Sequence, residues 1–207
     1  MDQERLDKVF QLLESHKVSV SDVLQNLQGL DWALCGGVAV AFWVTKRSPT
    51  VRELDILISV EDVEEARERL KKVGCRVGGY GGVGLNSVDV TCKELKIDLI
   101  IAERRWEQEA LLKSAKAGKF RVVRSEYLIL MKLKAWRDKD IEDVVLLSRV
   151  VDVEKTKKLV ERYLGEDYAE DFESLAMIGK AVGLDFSKER MSRKDSPASR
   201  GLRLKPE

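Results

Sequence analysis

Histidine is almost missing from this chain, with His16 standing alone among 207 residues. Only three cysteines accompany it, Cys35, Cys75 and Cys92, and no two share a CxxC spacing. A zinc site needs clustered nitrogen and sulfur ligands, so that chemistry is excluded. An odd cysteine count in apolar surroundings predicts three buried thiols in a reducing compartment. Asparagine occurs only at Asn26 and Asn86, while charged residues make up 35% of the chain. High charge with few deamidation-prone side chains resembles a thermophile's composition. The longest near-continuous apolar run, residues 32–44, holds glycines and is too short to span a bilayer. Residues 1–5 open a charged amphipathic helix rather than a secretory signal, so a soluble, cytoplasmic protein with no membrane contact is expected. The net charge of +1 implies no strong polyelectrolyte partner for the chain as a whole. The charge is unevenly spread, because residues 188–207 carry seven basic and three acidic groups. Such a tail reads as a solvated, disordered end, with nucleic-acid contact as the alternative.

What the chain does have is one organising stretch, LCGGVAVAFWVTKRSPTVRELDILI, at residues 34–58. A short apolar strand at 33–35 runs into Gly36 and Gly37, which allow a tight turn and close backbone approach. Residues 38–44 read as a buried helix starting at that turn. Its N-terminus offers free N–H groups and positive dipole, a setting that suits phosphate. Pro49 ends the segment and a strand follows at 53–60. Residues two apart on a strand share a face, so Glu53 and Asp55 point together while Leu54, Ile56 and Ile58 turn to the core. Asp98 repeats the setting inside KIDLII, opposite Ile97, Leu99 and Ile101.

An apolar strand ending in Gly-Gly, then acid-apolar-acid, then one more acid on a later strand resembles the nucleotidyltransferases of the DNA polymerase beta superfamily. The narrower resemblance is to small prokaryotic members, the AbiE-type toxins among them, and it covers residues 32–149. It departs from the pattern in having Glu at 53 where Asp is usual, and in a longer gap at residues 38–52. The resemblance implies an α+β fold, a nucleotidyltransferase-like mixed sheet flanked by helices with a helical C-terminal region. It implies transfer of an NMP group from an NTP to a hydroxyl of a protein, RNA or small molecule, with an antitoxin as a candidate partner. By the same resemblance Glu53, Asp55 and Asp98 hold Mg²⁺ or Mn²⁺ and carry catalysis. Oxygen ligands in near-octahedral geometry suit such ions, and two of them activate a phosphoryl group. The alternative for the acids is an ordinary solvated strand face paired with Arg52 or Lys96. The alternative for the whole protein is a non-catalytic binder that kept the fold.

Phosphate would be met by backbone N–H groups at Gly36, Gly37 and Val38, by Arg47 in the loop, and by Lys132. Lys132 lies among Leu128, Ile129, Ala135 and Trp136 on its helix. A lysine in such a stripe needs an anion or must snorkel outward. In the family a Lys here is often followed by a basic residue and a Lys-Asp pair, which would be Arg137 and Lys139-Asp140. Arg47 and Arg52 have a solvated loop position as their alternative. Trp32, Trp43, Trp106 and Trp136 sit in apolar periodic segments and read as core.

Along the rest of the chain, apolar stripes predict helices at 3–15, after a Ser21 cap, and at 61–73 after a Ser59 cap. Six glycines between 74 and 84 suggest a flexible hairpin turn between strands at 76–77 and 87–90, or less specifically a phosphate loop without its GKS. Asp89 and Lys93 alternate with Val88, Val90 and Cys92, so this strand is half-exposed. A strand at 95–102, a helix at 105–116, a strand at 120–123 and helices from 126 onward follow, the last at 153–182. The expected organisation is a core at 1–124, a helical region at 125–186 and a basic tail at 187–207.

Overall fold

The computed structural model describes residues 2–13, 19–44, 53–81 and 86–183. Arg47, Arg52, His16, the tip of the glycine-rich turn and the basic tail therefore lie outside the described residues. The described elements run α1 (Asp2–Leu13), α2 (Val20–Gln25), β1 (Trp32–Leu34), α3 (Gly36–Trp43), β2 (Glu53–Ser59), α4 (Val63–Lys72), β3 (Arg76–Gly81) and β4 (Ser87–Cys92). They continue as β5 (Leu95–Ala102), α5 (Arg105–Leu112), β6 (Ala115–Ala117), β7 (Phe120–Val122), α6 (Ser125–Ala135), α7 (Asp138–Leu147), α8 (Val153–Leu164) and α9 (Glu166–Gly183).

The strands form one mixed sheet in the order β3-β4-β5-β2-β1-β7-β6. Its centre is the parallel pair β2 and β5, in register from Glu53↔Lys96 to Ser59↔Ala102. The second halves of both strands are apolar on successive residues: Ile56, Leu57 and Ile58, then Leu99, Ile100 and Ile101, are all buried. A run like that belongs in a strand covered on both faces. The first halves keep the alternation, and there the acids stand. Strand β1 meets β2 antiparallel, so the β1–α3–β2 unit is not a parallel βαβ crossover. The parallel partner of β1 is instead β7, through Leu34↔Val122.

Several boundaries differ from expectation for local reasons. Helix α2 is capped by Ser19, whose hydroxyl accepts from Asp22 N, and not by Ser21. Ser59 accepts from Glu61 N two residues on, and α4 starts only at Val63. Helix α5 stops at Leu112, and β6, a short strand missing from the sequence reading, pairs with β7. The last helical region is two helices, because Gly165 at φ 103 turns the chain between α8 and α9.

The expectation of three thiols is corrected. Cys75 and Cys92 form a disulfide, leaving Cys35 as the free, buried thiol. The hairpin register explains it. Arg76↔Thr91 is the outermost pair of β3 and β4, so residues 75 and 92 come next, with Cα atoms 4.3 Å apart. That is close to the spacing of a non-hydrogen-bonded antiparallel pair. The cysteine argument for a reducing compartment lapses with it. Among the described residues no helix is long and apolar enough to cross a membrane.

Candidate active site

Register decides which acids meet. Asp55 on β2 lies opposite Asp98 on β5, and Asp98 lies opposite Asp89 on β4. Laterally paired residues share a face, so the three carboxylates form one row across three adjacent strands. A second row on the same face, two residues back along β2, runs Glu53, Lys96, Thr91. Glu53 is exposed at the start of β2, whereas Asp55 and Asp98 are partly buried. A cleft of about 270 Å³ opens beside them, lined by Glu53, Asp89, Thr91, Lys96 and Asp98 among others. Asp89 was legible only as a half-exposed strand residue, since nothing in sequence spacing sets β4 in register with β5.

The glycine turn serves Asp55 directly. Gly36 has φ +56, and a Cβ built on it would lie 1.7 Å from Asp55 Oδ2. Gly37 N–H donates to the same oxygen at 3.3 Å, and Cys35 N–H to the Asp55 carbonyl at 2.9 Å. The N-terminus of α3 therefore faces a carboxylate of the protein itself, which its dipole stabilises. Val38, expected near phosphate, is fully buried. Gly36→Ala should displace Asp55 and force a left-handed alanine, at a cost of about 1–2 kcal/mol from the backbone alone. The expected result is a lower Tm, read by thermal unfolding beside the wild type.

Burial raises the Asp55 pKa, while the Lys132 ammonium and the Gly37 N–H hold it down. Burial also pushes Asp98 up to about 6; the Ser87 hydroxyl opposes this, and the charges of Asp55, Asp89 and Glu53 add to it. Asp98 Oδ1 is buried and has no hydrogen-bond partner among the described residues. The neutral form of Asp98 is thus favoured by the fold. Its contribution to stability is fully present below the ordinary carboxylate pKa and is lost as pH rises through about 6. Asp98→Asn is accordingly expected to raise the Tm of the metal-free protein at pH 8 and leave it unchanged below pH 4.

Lys132 is buried, and it pairs with Asp140 Oδ1 at 2.7 Å and Asp143 Oδ2 at 2.9 Å, both on α7. Burial alone would raise the Asp140 pKa, but Arg137 and Lys132 hold it below the usual value. The sequence reading gave this ammonium to the triphosphate or to a site acid, with snorkelling as the alternative; in the structure its close partners are instead two carboxylates of α7. Arg137 and Lys139 are exposed at the α6–α7 junction. Asp55 feels the Lys139 charge, and Arg137 feels Asp55 and Glu53. Three tryptophans sit as expected. Trp32 and Trp106 are buried, and partly buried Trp43 donates its Nε1–H to Val123 O at 2.8 Å. Trp136 does not, being 45% exposed.

These residues test the fit of a divalent ion. A hard cation such as Mg²⁺ takes one or two carboxylates and keeps its other positions for water and substrate phosphates. Asp55 and Asp98 offer that donor set, and the unpartnered Asp98 oxygen is consistent with it. Among the described residues no three acids converge into a closed metal cage.

A mixed sheet bearing paired acids beside a glycine turn, with helices on it, is the nucleotidyltransferase fold. The chain is similar to the crystal structure of ANT(2'')-Ia in complex with adenylyl-2''-tobramycin, with a TM-score of 0.52 and 16% identity over 75% of this chain and 95% of that one. It is similar to the solution structure of ANT(2'')-Ia, described as an antibiotic-resistance factor, with a TM-score of 0.50 and 14% identity over 93% and 100% of the two chains. An antigenic nucleotidyltransferase-like protein from Paracoccidioides brasiliensis gives a TM-score of 0.44 at 12% identity, over 82% of this chain and 93% of that one. At these identities the likeness is one of fold. No family model and no curated protein matches the chain.

Proposed function

We propose that this protein is a nucleotidyltransferase that moves an NMP group from an NTP to a hydroxyl acceptor. One observation carries the reading: Asp55 and Asp98 stand in direct register on parallel strands beside the Gly36-Gly37 turn. Asp55 and Asp98 would hold Mg²⁺ or Mn²⁺, with Glu53 at the open edge. A bound divalent ion would supply phosphoryl polarisation and neutralise charge on the leaving pyrophosphate. Asp98, in register with Asp55 and beside the cleft, is the carboxylate placed to take the acceptor's proton. The acceptor oxygen then bonds to the α-phosphorus as the bond to the β-phosphate oxygen breaks. Arg137 and Lys139 are the cations suited to the triphosphate, and Lys132 acts from behind, on the charge of Asp55.

A small-molecule acceptor is one form of the proposal. ANT(2'')-Ia, with its adenylyl-2''-tobramycin, is an example of the fold paired with one. An RNA or protein acceptor, and a toxin role opposed by an antitoxin, are the narrower forms of the proposal. A second reading, a binding protein that kept the fold without catalysis, is favoured by the exposed Glu53 and the absence of a three-acid cage among the described residues.

The test is incubation with each α-³²P-labelled NTP and Mg²⁺ or Mn²⁺, with small hydroxyl acceptors such as tobramycin, with bulk RNA, and with the protein alone. Label on a small acceptor, lost in Asp55→Asn, supports the first reading, and label on RNA or protein selects a narrower form. NTP binding without any transfer favours the second reading, and no binding at all removes the enzyme.

A further inference from the structure

Lys96 is a cation set among the site acids and paired with none of them. On β5 it lies opposite Glu53 of β2 and Thr91 of β4, two residues before Asp98 and on the same face. It lines the cleft with Glu53, Asp89 and Asp98, and the other lining residues, Val90, Thr91 and Ile97, carry no charge. An ordinary solvated strand face would pair it with one of those carboxylates, as exposed Lys8 and Lys71 pair with their acids at 2.9 and 2.8 Å. Among the described residues the Lys96 side chain forms no ion pair and no hydrogen bond, and it stays exposed.

The fold also fixes which end of the acid row Lys96 occupies. Strand β1 runs antiparallel to β2, with Leu34 opposite Ile56 and Cys35 N–H donating to Asp55 O. The chain then turns at Gly36 and Gly37, so the N-terminus of α3 comes off at the Glu53–Lys96 end of the row and not at the apolar end of the strands. Two residues along a strand span roughly 6.6 Å, which the four-carbon stem of a lysine covers. From that end the ammonium can reach a group held against Asp98.

Every form of the proposed reaction brings one polyanion to these residues, the NTP, whereas the charge of the acceptor differs from form to form. The two non-bridging oxygens on the α-phosphorus share negative charge throughout the transfer. We propose that Lys96 donates to one of these α-phosphate oxygens, the other being turned to Asp55 and Asp98, where a divalent ion would be held. This rests on the nucleotidyltransferase reading of the same site and adds to it a catalytic residue, a charge-assisted contact at the reacting phosphorus. The acceptor's proton still passes to Asp98.

The test uses the phosphate that ATP and AMP have in common. ATP binding with Mg²⁺ is measured by calorimetry on the full chain, and AMP binding by displacement of ATP, for wild type, Lys96→Met, Lys96→Gln, Lys96→Arg and Lys119→Met. Loss of the cation in Lys96→Met should weaken ATP and AMP by the same factor, about ten-fold. Lys96→Gln should match it, Lys96→Arg should retain most of the affinity, and the exposed side chain leaves the Tm of all three at the wild-type value. Lys119→Met removes an exposed charge at the β6–β7 turn, near the opposite edge of the sheet from β3, and should change neither affinity. Equal AMP affinity in wild type and Lys96→Met, whatever happens to ATP, overturns the inference and leaves the nucleotidyltransferase reading standing. An equal loss in Lys119→Met overturns it too, since general charge would then be the cause. Failure of the wild type to bind ATP removes the reading and the inference together.

Discussion

Asp55→Asn is expected to lower nucleotidyl transfer by on the order of a thousand-fold while leaving the protein folded. The amide is isosteric and its oxygen can still accept from Gly37 N–H, so the 3.3 Å contact and the turn at Gly36 need not move. What is lost is the negative charge of a partly buried carboxylate. Burial already disfavours that charge, and Lys132 only partly offsets the cost. The metal-free variant should therefore be at least as stable as the wild type at pH 8, whereas its transfer should be close to background. Single-turnover assays with α-³²P-labelled NTP and thermal unfolding without metal give the two readouts. A variant that unfolds would show Asp55 to be structural, and one that keeps transfer would remove the site as drawn. Gly36→Ala makes the contrast, since it keeps the carboxylate and disturbs its cradle.

Lys132→Met should produce the largest loss of stability among the substitutions considered, about 3–5 kcal/mol. The ammonium is nearly inaccessible, and its two carboxylate partners on α7 are fully buried, Asp140 at 0% and Asp143 at 1% exposure. Removing the cation takes a close counter-charge from both carboxylates in low dielectric. For a chain of this size such a loss lowers Tm by about 10 °C or more. Adding Asp140→Asn and Asp143→Asn should restore much of the Tm, because an unpaired buried charge is the source of the cost. Transfer activity should not return with it. Lys132 also helps to hold the Asp55 carboxylate in its charged form, and the restored variant lacks that contribution, keeping the weaker ones of the Gly37 N–H and Lys139. Recovery of both stability and activity would reduce Lys132 to a packing residue, and recovery of neither would mean the ion pair is not the main support of α6 on α7.

The cysteines show how far local pattern can mislead. Cys75 and Cys92 are far apart in sequence terms for a metal motif, and nothing in their neighbours marks a bond. Only the antiparallel register of β3 on β4 sets them side by side. Trp136 is a comparable case. Its helical neighbours are apolar, but α6 ends one residue earlier, and the left-handed turn takes the indole out of the stripe that periodicity assigned to it.

By itself the sequence determined the pieces whose physics is local. The glycine pair, the alternation that puts Glu53 and Asp55 on one face, the mirrored setting of Asp98 and most helix positions all follow from backbone freedom and side-chain period. Tertiary structure decided what depends on neighbours distant in the chain. Sheet order placed Asp89 in the row with Asp98 and Asp55, packing of α7 on α6 gave Lys132 its two carboxylates, and the approach of Gly36 to Asp55 fixed what the turn is for. The reason is that a side chain's face is set by its own strand or helix. Its partner is set by register and packing, which are properties of the whole sheet.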